Sequence, residues 1–84
     1  MIGLGTRWRF GTPPPARLPE AAAAAVASAE EELRRTAPEA ESASWTLTWL
    51  EGRPVAELDV ETDRGFPTVT VDPISGEGRL SFEA

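Results

Sequence analysis

Apolar and polar residues alternate one by one at the start of the chain, with Ile2, Leu4, Thr6, Trp8 and Phe10 set against Gly3, Gly5, Arg7 and Arg9. A period of two is the pattern of a half-buried strand. It predicts a strand over 5–10, with Trp8 and Phe10 inward and the arginines outward. Gly11-Thr12-Pro13-Pro14-Pro15 ends it, because consecutive prolines cannot donate to a ladder and favour a stiff, extended connection. The period then changes. Ala22, Val26, Ala29 and Leu33 recur at steps of 4, 3 and 4, which places them on one face of a helix over 19–36. Pro19 suits its first turn, Glu20 the positive end of its dipole, and Pro38 stops it. Glu30 with Arg34 and Glu31 with Arg35 have the i,i+4 spacing of supporting ion pairs.

Beyond the helix the period returns to two, predicting a four-stranded meander over 44–83. Trp45, Leu47 and Trp49 form one face of its first strand, and Ala56, Leu58 and Val60 one face of the next. Val69 and Val71 alternate with Thr68 and Thr70, and Leu80 and Phe82 mark the last strand. Glu51-Gly52-Arg53-Pro54, Thr62-Asp63-Arg64-Gly65 and Asp72-Pro73-Ile74-Ser75-Gly76 are the turns between them. Connections this short make neighbouring strands antiparallel. The expected fold is therefore α+β, in the order β-α-β-β-β-β. One helix packs on a four- to five-stranded antiparallel sheet, and residues 1–84 form a single small domain. The helix face is mostly alanine and buries little area, so the helix depends on the sheet for its stability.

Composition narrows what such a domain does. With 84 residues the core is thin. There is no cysteine, histidine, lysine or tyrosine, and all eight basic residues are arginine. The usual zinc ligands, the usual general base at neutral pH and every Ser-His or Cys-His nucleophile pair are missing together. These absences point away from an enzyme and give no reason to expect a cofactor or a metal. No run approaches the ~18 apolar residues of a membrane span. The first residues lack a signal peptide's basic start and apolar run, so as written the chain is expected to stay in the cytoplasm. If an export signal was removed, it acts outside.

Charge is unevenly spread over the net −6. Residues 1–19 hold Arg7, Arg9 and Arg17 and no acid, whereas 20–84 hold fourteen acids against five arginines, a net of −9. So acidic a body repels nucleic acid and attracts a basic protein surface. Its most concentrated feature is Glu57, Asp59 and Glu61, expected about 6.6–6.8 Å apart on one strand face. Such a row costs stability unless arginines on neighbouring strands or a partner offset it. It is either a solvated face that discourages aggregation or a docking face for an arginine-rich partner. Trp8, Trp45 and Trp49 are either the bulk of the core or, for Trp8 near an edge, an exposed anchor. Leu50 and Val55 flank the first meander turn, as a small interaction patch or as hairpin packing. Arg7 and Arg9 are expected to pair across strands with acids.

Pro19 to Leu80 also resembles the PepSY family, in which an alanine-rich helix precedes antiparallel strands and a segment of the form V-x-V-D-x-x-x-G-x-(hydrophobic). Here that segment is Val69-Thr70-Val71-Asp72-Pro73-Ile74-Ser75-Gly76-Glu77 followed by Gly78-Arg79-Leu80. The resemblance implies a domain outside the cytoplasm that inhibits or chaperones a neighbouring peptidase. The chain departs from it by its strand before the helix, its lack of an export signal, and the closeness of its first two meander strands. The expectation is a non-catalytic inhibitor or regulator that binds a protein partner with a basic surface through Glu57, Asp59, Glu61 and Trp8. Size, charge and missing catalytic residues are equally similar to phage-type anti-defence inhibitors (anti-CRISPR, anti-restriction or nucleic-acid mimics) and to toxin immunity proteins. A structural subunit of a larger assembly is the reading from a different class.

Overall fold

The computed structural model describes residues 6–84. The alternation of Ile2 and Leu4, and Gly5 as a strand start, lie outside the described residues. The elements run β1 (Thr6–Arg9), α1 (Glu20–Thr36), a 3-10 helix (Pro38–Ser42), β2 (Ser44–Leu50), β3 (Arg53–Leu58), β4 (Phe66–Val71) and β5 (Gly78–Glu83). The five strands form one antiparallel sheet in the order β1-β2-β3-β4-β5, so β1 joins the sheet beside β2. The α+β order read from the sequence is the order observed.

One face of the sheet is covered. Ala22, Val26, Ala29 and Leu33 of α1 are all buried, as their spacing requires. They meet Trp8, Trp45, Leu47, Ala56, Leu58 and Val69 from the sheet. Two adjustments hold this layer. Gly78 lets α1 approach β5 closely, since a Cβ there would lie 2.1 Å from the Ala25 Cβ. The 3-10 helix after Pro38 was not signalled by any periodicity; it turns the chain into β2 and buries Ala40 completely.

The charged face of α1 differs from its helical spacing. Glu30 is buried and turns inward, away from Arg34. Its carboxylate accepts hydrogen bonds from Trp45 Nε1 at 2.9 Å and from the Gly11 backbone N–H at 3.0 Å. Arg34 instead lies over the Phe10 ring, 5.1 Å from its centroid. The ion pair present is Glu32 with Arg35 at 3.0 Å, one residue closer than the expected Glu31 with Arg35. The demand of the buried indole and amide for an acceptor outweighs an exposed pair worth only a few tenths of a kcal/mol.

Proline shapes the middle of the sheet. Pro54 and Pro67 lie inside β3 and β4, although the sequence pattern placed Pro54 in the preceding turn. The β3–β4 pairing runs only from Val55↔Thr70 to Glu57↔Thr68. Asp59 N–H bonds to Ser44 C=O, so hydrogen-bonded pairs alternate from there along β2–β3 and point the Pro54 nitrogen at β4. With no N–H to give, each proline sits where that ladder stops.

The β4–β5 turn follows its sequence. The Asp72 carboxylate accepts the N–H groups of Ser75 (3.0 Å) and Ile74 (2.7 Å), and Gly76 takes φ 79°. Those bonds, Ser75 first and Ile74 second, hold the Asp72 carboxyl below the usual carboxylate range, and Arg79 adds to the effect. A lowered folded-state pKa adds stability above the unfolded value of about 3.9, and that contribution is lost as pH falls through the folded value. An NMR titration of the Asp72 carboxyl is expected to give a midpoint below 3.8. In Asp72→Asn, the acid unfolding limb should flatten in that window and nowhere above it.

Candidate protein-docking face

The face of the sheet opposite α1 is uncovered. Strand register places Arg7, Thr46, Glu57, Thr68 and Ser81 in one cross-strand row on it. The next row holds Thr48, Val55, Thr70 and Arg79. Threonine suits this surface, because its β-branch favours the strand while its hydroxyl finds a polar partner: Thr68 donates to Phe66 C=O at 3.3 Å, and Thr46 accepts from Arg7.

The three acids read as one row separate here. Glu57 is exposed at the centre of the face, between Thr46 and Thr68. Asp59 lies just past the end of β3, its N–H held by Ser44 C=O at 2.9 Å. Its carboxylate meets Arg7 at 3.4 Å, the cross-strand use expected of that arginine. Arg7 also donates to Thr46 Oγ1 at 3.1 Å. Glu61 does not join them. The Val60 N–H bonds back to Leu58 C=O, which bends the chain out of the strand, and Thr62 and Gly65 then close a tight loop. Glu61 is exposed before that loop, off the row. The alternation of Val60 and Glu61 continued on paper past the point where the strand ends.

A different acid takes the third place. Glu83 of β5 pairs with Phe66 of β4. Arg7, Thr46, Glu57, Asp59, Phe66 and Glu83 together line a groove of about 400 Å³. Phe66, 37% exposed, gives it an apolar wall. Among the described residues, Arg7 is the one basic side chain on that groove, and it is engaged by Asp59; Glu57 and Glu83 form no ion pair. The other end of the face is mixed in charge. Arg53, Arg79 and Asp72 flank a cleft of about 270 Å³ with Leu50, Val55 and Pro73, and Arg53 pairs with Glu51 at 3.4 Å. The open face is thus polar along its length, acidic at one end and mixed in charge with apolar contacts at the other.

Trp8 is a correction. It is only 9% exposed, and its ring stacks on Trp45 with centroids 6.3 Å apart. It belongs to the core and presents no surface to a partner; its indole N–H has no acceptor among the described residues. The exposed tryptophan is Trp49 (46%), beside Leu50 (60%) at the tip of the β2–β3 hairpin. Trp49 has core parity, but α1 lies over β4 and β5 and does not reach that corner. Its position two residues before the Glu51-Gly52 turn was the available signal.

Among the described residues, no group of three or more acidic side chains is placed to hold a metal ion. No described helix is long and apolar enough to cross a membrane. No family model, curated protein or solved structure matches the chain.

Proposed function

We propose that the protein is a non-catalytic inhibitor or regulator that receives an arginine- or lysine-bearing segment of a protein partner on the open face of its sheet. The observation that carries this reading is the groove that Glu57, Asp59 and Glu83 line together with Phe66. A basic side chain entering it would lay its aliphatic stem along the ring and place its charge among carboxylates. At the far end Arg53 pairs with Glu51 and Arg79 lies beside Asp72, so the acidic groove is the part of the face that draws a basic partner. The helix-then-meander order and the Asp72 turn support a PepSY-like inhibitor as one form of this reading. An anti-defence or immunity protein would use the same acidic groove against a basic cleft.

The test is the double charge reversal Glu57→Arg/Asp59→Arg, both at exposed positions. Proteins captured from a candidate host lysate by the wild type should be lost by the variant, and should elute with added salt because the attraction is screened. An identical captured set from both proteins would refute the reading.

A further inference from the structure

We propose that the protein is a two-fold symmetric dimer in which β5 of one copy pairs antiparallel with β5 of the other, in a register centred on Ser81. β5 is an edge strand, and among the described residues nothing pairs with its outer side. Its hydrogen-bond phase is fixed by its own hairpin. The Asp72 N–H bonds to Glu77 C=O at 2.8 Å, so the hydrogen-bonded pairs of β4–β5 continue as Thr70↔Arg79, Thr68↔Ser81 and Phe66↔Glu83. Arg79, Ser81 and Glu83 therefore spend their backbone groups on β4. Gly78, Leu80 and Phe82 present theirs to the free edge.

Only registers that pair outward-facing residues with each other close a ladder. The one centred on Ser81 places Leu80 opposite Phe82 of the second copy, and Phe82 opposite its Leu80, each pair exchanging both bonds. It also places Arg79 opposite the second copy's Glu83, twice across the axis. The sequence Arg79-Leu80-Ser81-Phe82-Glu83 is thus complementary to itself in charge on the open face. On the helix face it brings together two half-buried apolar side chains per copy. Cross-strand ion pairs and apolar pairs are the units that fix a strand partner. Charge complementarity of the strand with itself selects a second copy over an unrelated strand.

The helix layer is compatible with this pairing. A two-fold axis perpendicular to the sheet continues it with both α1 helices on the same side. Because α1 rests on β4 and β5, and strands lie about 4.8 Å apart, the two helices would run about 10 Å from each other, a normal packing distance. The side of α1 that overhangs β5 carries Ala21, Ala24 and Ser28, all exposed and small enough for that approach, with Glu32, held by Arg35, one turn further on. The product is a ten-stranded sheet with two grooves on one face, each keeping Glu57 and Asp59 while Glu83 pairs with the second copy's Arg79.

Light scattering on size-separated full chain tests this without any partner, so its outcome is independent of the binding reading. The wild type should reach twice the 9.0 kDa chain mass. Arg79→Glu and Glu83→Arg each set like charges opposite one another twice and should weaken the dimer about tenfold or more. Mixing the two variants, or combining them in one chain, should restore it. A second variant reports the register: Ser81→Cys, in a chain without cysteine, sits at a non-hydrogen-bonded pair with Cα atoms about 4.5 Å apart and should oxidise to an interchain disulfide. Thr48→Cys on the same face should not. A wild type that keeps the single-chain mass at every concentration overturns the proposal, as do single reversals without effect or a Thr48→Cys that cross-links as readily as Ser81→Cys.

Discussion

Replacing Glu30 by alanine is expected to lower stability by about 3 kcal/mol, one of the two largest losses predicted here. Glu30 is 8% exposed, and its Oε2 is the acceptor for both Trp45 Nε1 and the Gly11 N–H. Removing it leaves the buried Trp45 indole N–H without a partner, at a cost of about 1–3 kcal/mol, and releases the part-buried Gly11 N–H. It also unties the strand–helix connection at Gly11 from the helix and from β2. In a domain this small, a loss of that size shifts the melting temperature by roughly 12–24 °C. Glu30→Gln keeps an acceptor oxygen and should cost only about 1 kcal/mol. Trp45→Phe should couple to Glu30→Ala in a double-mutant cycle, since both remove the same bond. Urea unfolding followed by tryptophan fluorescence measures all of these, and a Glu30→Ala loss under about 0.5 kcal/mol, the size of an ordinary surface change, would show that the network does not hold the layers together.

Gly65→Ala should cost about as much for a different reason. Gly65 has φ 115°, outside the range open to a residue with a Cβ, and a Cβ there would lie 2.5 Å from the Glu83 carbonyl oxygen. That neighbour is backbone and belongs to the last pair of the β4–β5 ladder, Phe66↔Glu83. Strain and clash together predict a loss of about 3 kcal/mol and faster amide exchange at the Phe66–Glu83 end. Gly76→Ala is the control. Its φ of 79° is also left-handed, but nothing lies within 4 Å of its Cβ position, so only the conformational term of about 1 kcal/mol remains. Equal losses from the two substitutions would refute the steric argument.

The fold was legible because its signals were local. The change of period at Ala22 to Leu33, the prolines that bound the helix and the Asp72 turn each specify their own segment. The site was less legible because it depends on where elements end. Asp59 and Glu61 share parity with Glu57, yet the strand stops at Leu58 and carries Glu61 away. Glu83 entered the groove only through strand order, which brings β5 beside β4 and places Glu83 opposite Phe66. Trp8 faces the core as its strand parity predicts and is no anchor, whereas Trp49, of the same parity as the buried Trp45 and Leu47, is exposed at the hairpin tip. Glu30 had the spacing of a surface ion pair, and nothing within the helix reveals that Trp45, 15 positions later, requires its carboxylate.

The proposed reception of basic side chains by the acidic groove is tested by titrating the isotope-labelled protein with a short oligo-arginine peptide and following amide chemical shifts. Saturable shifts are expected, confined to Thr46, Glu57, Asp59, Phe66, Thr68 and Glu83 and abolished by Glu57→Arg/Asp59→Arg. Shifts centred instead on Trp49 and Leu50, or unchanged by that double reversal, would contradict it.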